Sequence, residues 1–156
     1  MALISVEFAA LDPNLLTEHA GRVVVFADEK LDAEARQLDV EMRGALARAL
    51  ESAAWEAVKP GEALTLAFPQ RLAASAVVMV RLPRRAPADL TRKAGATIGK
   101  GMTEAGAVIA AHGIRALPAL VEGLALRAYT WSMKSEPEKA PGAVTVVVED
   151  PEAARL

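Results

Sequence analysis

Side chains that titrate, ligate or attack fall into a few groups in this chain. His19 and His112 are the two histidines, residues suited by type to general-base or metal-ligand roles. Neither stands in an HxH or HExxH spacing, so no second ligand accompanies either one. Asp28, Glu29, Asp32 and Glu34 crowd one stretch. A metal site draws convergent ligands from several elements, whereas these acids bracket a helix start. There Asp32 reads as an N-cap and Glu34 as a first-turn acid favoured by the helix dipole. Gly95-Ala96-Thr97-Ile98-Gly99-Lys100-Gly101 faintly resembles a phosphate loop. Such a loop needs four residues between its glycines and a Ser or Thr after the Lys to reach magnesium. Here three residues intervene and Gly101 follows Lys100. Arg81, Arg84, Arg85, Arg92 and Lys93 form a local basic cluster. Aromatic residues that would stack on bases are not interleaved with it. No GxSxG elbow is present. No residue is therefore assigned to catalysis, to a cofactor or to a metal.

The elements that would position these groups follow from apolar periodicity. Ser75 to Leu82 is a near-continuous apolar run rich in β-branched residues. It reads as a strand covered on both faces, and as the central strand of an α/β sheet. Leu3 to Ala9 alternates loosely and predicts a half-exposed strand near an edge. Asp12-Pro13-Asn14 reads as a turn, and Val23 to Ala27 as a second, more buried strand.

Leu31, Ala35, Leu38, Met42, Ala45 and Ala49 recur at three- and four-residue steps, which predicts one helix running to about Trp55. Lys59-Pro60-Gly61 ends that segment. Glu62 to Phe68 is a third strand, joined to the Ser75 run by so short a link that an antiparallel hairpin is expected. Pro87 opens a second helix whose stripe is Leu90, Ala94, Ile98, Met102 and Ala105. Its glycines weaken it by up to about 1 kcal/mol each unless a neighbour approaches closely. Ala107 to Ala111 is a short strand. Pro118 begins a third helix, with the stripe Leu117, Leu120, Val121, Leu124, Ala128 and Trp131. Lys134 to Gly142 is a loop, and Ala143 to Val148 a last strand. The expected fold is α/β, a three-layer sandwich with a mixed, roughly six-stranded sheet.

Composition narrows the function classes. The chain has 156 residues, 53% of them apolar, with a net charge of −2 and no cysteine. That length suits one domain with a sizeable core. Disulfides, thiolate nucleophiles and Cys-based zinc sites are excluded. The slight negative charge gives no general attraction to phosphate or anionic lipid, so nucleic acid and membrane are disfavoured as partners. No apolar run approaches the ~18 residues a bilayer span requires. A reducing cytoplasmic location fits the absence of cysteine.

Three stretches, taken together and in order, resemble the N-terminal domain of the leucyl aminopeptidase family, the cytosolic M17 metallopeptidases. They are Lys59 to Leu66 leading into Val77 to Leu82; Arg92-Lys93-Ala94-Gly95-Ala96; and Leu120 to Tyr129 with Trp131 and Lys134-Ser135-Glu136. Trp131 stands where Phe is more usual. The resemblance spans Ser5 to about Asp150. It implies a macro-domain-like domain at 1–150, with 151–156 the start of a linker to a C-terminal catalytic domain outside this sequence. In the family that second domain binds two divalent metals, zinc or manganese, and removes N-terminal residues from peptides. Its signature Asn-Thr-Asp-Ala-Glu-Gly-Arg does not occur here. The N-terminal domain is implied to be non-catalytic, to help build a homo-hexamer and to control access. Leu117, Leu126 and Trp131 are candidates for surface covered by the catalytic domain. The alternative is a stand-alone macro-like module that binds a nucleotide-type ligand.

Overall fold

A computed structural model describes residues 6–10, 13–67, 69, 72–83, 85–101, 106–111, 114–134 and 144–148. The elements run β1 (Val6–Ala10), α1 (Pro13–Glu18), β2 (Arg22–Ala27), α2 (Ala33–Glu41), α3 (Ala45–Leu50), α4 (Ala53–Glu56), β3 (Ala63–Ala67) and β4 (Ala76–Arg81). They continue with α5 (Ala88–Lys100), β5 (Ala107–Ala110), α6 (Leu117–Lys134) and β6 (Val144–Val148).

The strands form a six-stranded sheet in the order β1-β6-β5-β2-β4-β3. All neighbours are parallel except the β3–β4 hairpin. This is the expected mixed α/β sandwich. One core lies under α5 and α6, with Val24, Phe26, Val78 and Val80 meeting Ala94, Ile98, Leu120 and Leu124. The other lies under α1 to α4, with Val23, Val25, Val77 and Met79 meeting Leu16, Leu38, Leu46 and Trp55. Consecutive valines therefore serve opposite layers, which is why the runs in β2 and β4 are apolar without alternation.

Four expectations are corrected in detail. β4 is buried on both faces as expected, yet it is next to last in the sheet; β2 and β5 hold the centre. The hairpin sets β3 outside β4, while the α5 crossover carries the chain past β2 to β5. Pro13 and Asn14, expected in a turn with Asp12, instead begin α1, which starts at Pro13, a residue whose fixed φ and missing N–H suit a first helical position; Asp12 lies outside the described residues. Asp32 does occupy the N-cap of α2 but makes no side-chain capping bond.

The single helix expected to reach Trp55 is three short helices. The break after α2 is a Schellman motif, in which Arg43 N–H donates to Val40 O and Gly44 N–H to Asp39 O. Arg43 and Gly44 both take positive φ, 53° and 81°. The Asp39 carboxylate then accepts from Leu46 N at 2.7 Å and Ala47 N at 3.3 Å, starting α3. Ser52 Oγ accepts from Trp55 N at 3.2 Å and starts α4.

α5 and α6 pack with their backbones in contact. A Cβ at Gly95 would run into the Leu120 carbonyl, and one at Gly123 into the Arg92 carbonyl. Close approach thus offsets the helix weakness of these glycines.

Candidate functional site at the carboxyl end of the sheet

In open α/β sheets, ligands settle in the crevice outside the carboxyl ends of the strands, at the point where successive crossovers leave to opposite sides. That point lies between β2 and β5. From β2 the chain passes to α2 on one face, and from β5 to α6 on the other. The acids singled out in the sequence lie in the loop and helix start that follow β2. His112 and Arg84 lie outside the described residues.

β2 leaves the sheet through a tight turn. Asp28 N–H donates to Lys30 O at 3.2 Å and Asp32 N–H to Phe26 O at 3.3 Å. An isolated bridge joins Ala27 to Leu31. Strand register sets Ala27 opposite Arg81, so the Arg81 side chain emerges beside Asp28. Its Nε lies 3.5 Å from Asp28 Oδ1. Its Nη1 donates to Val58 O at 2.9 Å and reaches Trp55 O at 3.5 Å. The guanidinium sits 5.7 Å from the Trp55 ring centroid, a cation–π distance. Trp55 Nε1 donates in turn to Asp28 O at 3.2 Å.

These contacts interlock the ends of β2, β4 and α4. The guanidinium supplies donors to carbonyls at and just past the end of α4, where Trp55 O also accepts from Val58 N–H at 3.0 Å. Asp28 remains 43% exposed and Arg81 25%, so the ion pair itself adds little, while the carbonyl bonds and ring contact fix the geometry.

The basic cluster does not converge. Arg81 serves the α4 side of the sheet. Arg92, on α5, pairs with Asp89 and with Glu122 of α6, each at 3.3 Å. The stem of Lys93 packs beside Gly61. Such an arrangement gives no continuous basic track for a phosphate backbone. The Gly95 to Gly101 stretch is helical to Lys100, with its small residues turned to α6 and to Arg22, and forms no loop that could cradle phosphate.

Glu34 is 4% exposed and Asp39 is 9% exposed. Asp39 was not singled out by the sequence reading; an Asp five residues before Gly44 was the available signal. His19 is half-buried in the α1–β2 connection, and its Nε2 is buried without a hydrogen-bond partner among the described residues. Among the described residues no three His, Cys, Asp or Glu side chains are placed to hold a metal ion. The acids after β2 form no such group, and Asp28 is engaged by Arg81.

At the opposite end of the strands, Arg22, Val24, Val78, Thr97, Ile98 and Ala107 line a cavity of about 10 Å³, no larger than a single water. Of the candidates for covered surface, Leu126 is 59% exposed and Leu117 packs against the core. The Trp131 side chain lies outside the described residues. No helix among the described residues is long and apolar enough to cross a membrane.

No protein-family model matches the chain. Solved structures similar to it are macro domains. A Trypanosoma brucei macrodomain in complex with ADP-ribose superposes with a TM-score of 0.67 at 12% identity, over 96% of this chain and 66% of that one. The macrodomain of Mycobacterium tuberculosis DarG gives 0.60 at 11% identity, over 92% and 98%. At such identities the likeness is one of fold, and it gives the macrodomain α/β architecture.

Sequence relatives are closer. A protein of Cereibacter sphaeroides named probable cytosol aminopeptidase is 40% identical over 152 residues, 96% of this chain and 31% of the relative. One of Dinoroseobacter shibae with the same name is 40% identical over 147 residues, 92% of this chain and 30% of the relative. The chain spans about a third of the length of these relatives. Over nearly its whole length, then, the chain is homologous to the N-terminal region of the cytosol aminopeptidases.

Proposed function

We propose that this chain is the non-catalytic N-terminal domain of a leucyl-aminopeptidase-like metallopeptidase of the M17 type, acting in assembly and in control of access to a catalytic domain. The observation that carries this reading is the 40% identity across 96% of the chain against only 31% of a named aminopeptidase. Chemistry supports it. At the carboxyl end of the sheet, Arg81 and Asp28 are committed to an ion pair and to carbonyl bonds rather than left open.

In this reading two divalent metals, zinc or manganese, belong to the catalytic domain, and no step of peptide hydrolysis runs through residues of this chain. The domain's partners are that catalytic domain and further copies of the same protein, in a hexamer, within the cytoplasm.

The test is hydrolysis of leucine amide by the purified chain with added manganese or zinc. No turnover above buffer is expected. Turnover that a chelator abolishes would overturn the reading. A protein carrying both regions should assemble, and deletion of residues 1–156 should change the number of subunits found by light scattering.

A second reading rests on the fold. A macrodomain of the same architecture is seen with ADP-ribose, and the β2–β5 switch point is where such a fold receives ligands. Calorimetric titration with ADP-ribose separates the two. Saturable heat supports a binding module, and none at millimolar ligand supports the assembly role alone.

A further inference from the structure

β3 ends the sheet beyond β4, so one of its edges faces no other strand among the described residues. Its start is shaped by a bulge. Gly61 has a φ of 85°; its N–H donates to Arg81 O at 2.7 Å, while Arg81 N–H donates to Glu62 O at 2.9 Å. That is the bulge whose first residue is a left-handed glycine. Regular antiparallel pairing follows, from Ala63 opposite Val80 to Ala67 opposite Ala76.

Because Glu62 bonds to Arg81, alternation turns the backbone groups of Leu64 and Leu66 toward β4 and those of Ala63, Thr65 and Ala67 outward. No backbone bond outside the ladder involves those three residues among the described ones.

The edge lacks the usual defences. Neither a charge nor a proline falls between Ala63 and Ala67, and Thr65 and Ala67 are exposed. Soluble proteins normally blunt such an edge with lysine, proline or a bulge inside the strand. Here the bulge precedes the strand and leaves five regular residues with no further strand beside them among the described residues.

Those residues read Ala-Leu-Thr-Leu-Ala in either direction. A strand with this symmetry is self-complementary under a two-fold axis. Thr65 meets Thr65, Ala63 meets Ala67, and Leu64 meets Leu66. The outward residues fall into the hydrogen-bonded positions, so each donates one N–H and accepts one through its carbonyl. The half-buried leucines, which already pack against the α1–α4 core, extend that apolar face across the seam.

We infer that a second copy of this chain adds to the sheet here, β3 against β3 and antiparallel, around a two-fold axis at Thr65. The seam is independent of the aminopeptidase reading, which hydrolysis tests separately. Its five-residue length places it among weak, transient interfaces, below about 1,200 Å² of buried surface.

Sedimentation equilibrium of the chain from micromolar to millimolar concentration tests it. The wild type is expected to dimerise as concentration rises. Thr65→Pro removes the N–H at the axis, which the monomer does not use, and is expected to stay monomeric with an unchanged circular dichroism spectrum. Thr65→Lys opposes two cations across a Cα separation of about 5.5 Å and should also stay monomeric, even if the proline variant fails to fold. An equimolar mixture of Thr65→Lys and Thr65→Glu should recover the dimer, because unlike charges then face each other. A wild type that stays monomeric throughout would overturn the inference. So would a Thr65→Lys variant that dimerises as the wild type does.

Discussion

On one face of the sheet, α5 and α6 lie backbone to backbone, with Gly95 beneath the Leu120 carbonyl and Gly123 beneath that of Arg92. On the other, α2, α3 and α4 are short and are turned by Asp39 and Ser52, with Arg81 closing the last of them. The first layer depends on the absence of side-chain atoms. The second depends on particular polar atoms being present. Substitutions should therefore fail for opposite reasons on the two faces: added volume on the first, lost hydrogen bonds on the second.

The largest effect is expected from Gly95→Ala. Helix propensity alone predicts a gain of about 1 kcal/mol. The new methyl, however, meets a carbonyl oxygen on a neighbouring backbone, which cannot rotate away as a side-chain tip would. Overpacking of this kind costs about 3 kcal/mol, so urea denaturation should show a clear net loss. A stabilised Gly95→Ala would mean that the two helices can separate, and the contrast between faces would collapse.

Asp39→Ala comes next. It removes the acceptor for Leu46 N and Ala47 N; Leu46 is fully buried, so water cannot replace the bond. Loss of a cap with a buried donor left unpaired is expected to cost about 2 kcal/mol. Asp39→Asn keeps one acceptor oxygen and should recover about half of that. The same urea experiment reads both.

How much of this could be read in the sequence differs between the faces for a physical reason. β2, β4, the hairpin and the long helices were legible because burial on one or both faces writes itself as apolar runs and four-residue steps. The close packing of α5 on α6 was visible as glycines inside a helical pattern. The divided helix was not. Leu31, Ala35, Leu38 and Met42 continue in step with Ala45 and Ala49, because α3 resumes on the same core after its turn. Periodicity cannot report a cap lodged inside a continuous stripe. Gly44 was the one local signal, and Asp39 acquires its role only through a bond to residues seven and eight positions on.

The candidate site was legible only in part. The acids after β2 and Arg81 were singled out, but their pairing depends on strand register, which sets Ala27 beside Arg81. Trp55, whose ring underlies the guanidinium, gave no sign of that role.

Arg81→Met and Asp28→Asn sharpen the contrast within the polar face. Methionine keeps an unbranched apolar stem but loses the guanidinium over the Trp55 ring and the donors to Val58 O and Trp55 O. A loss of about 1.5 kcal/mol is expected, as for hydrogen bonds from a charged group. Asp28→Asn leaves those bonds intact and weakens only a half-exposed ion pair, so about 0.5 kcal/mol or less is expected. Equal losses for the two variants would mean that the ion pair, rather than the carbonyl bonds, holds the strand ends together.

Arg43→Gly should give a change as small as that of Asp28→Asn, and in the opposite direction. Arg43 occupies the left-handed position of the Schellman turn, with a φ of 53°, where a Cβ crowds the backbone by about 1 kcal/mol or more. Glycine removes that crowding but gains more freedom in the unfolded chain, which offsets part of the benefit. The Arg43 side chain is exposed, and the bond from Arg48 Nη1 is received by the Arg43 backbone carbonyl at 3.0 Å, so neither contact is lost. A net gain of about 0.5 kcal/mol is expected, seen as a rise in thermal midpoint. A drop instead would show that the turn is held by the arginine side chain. Stability on this face would then rest on side-chain contacts at the turn as well as on caps.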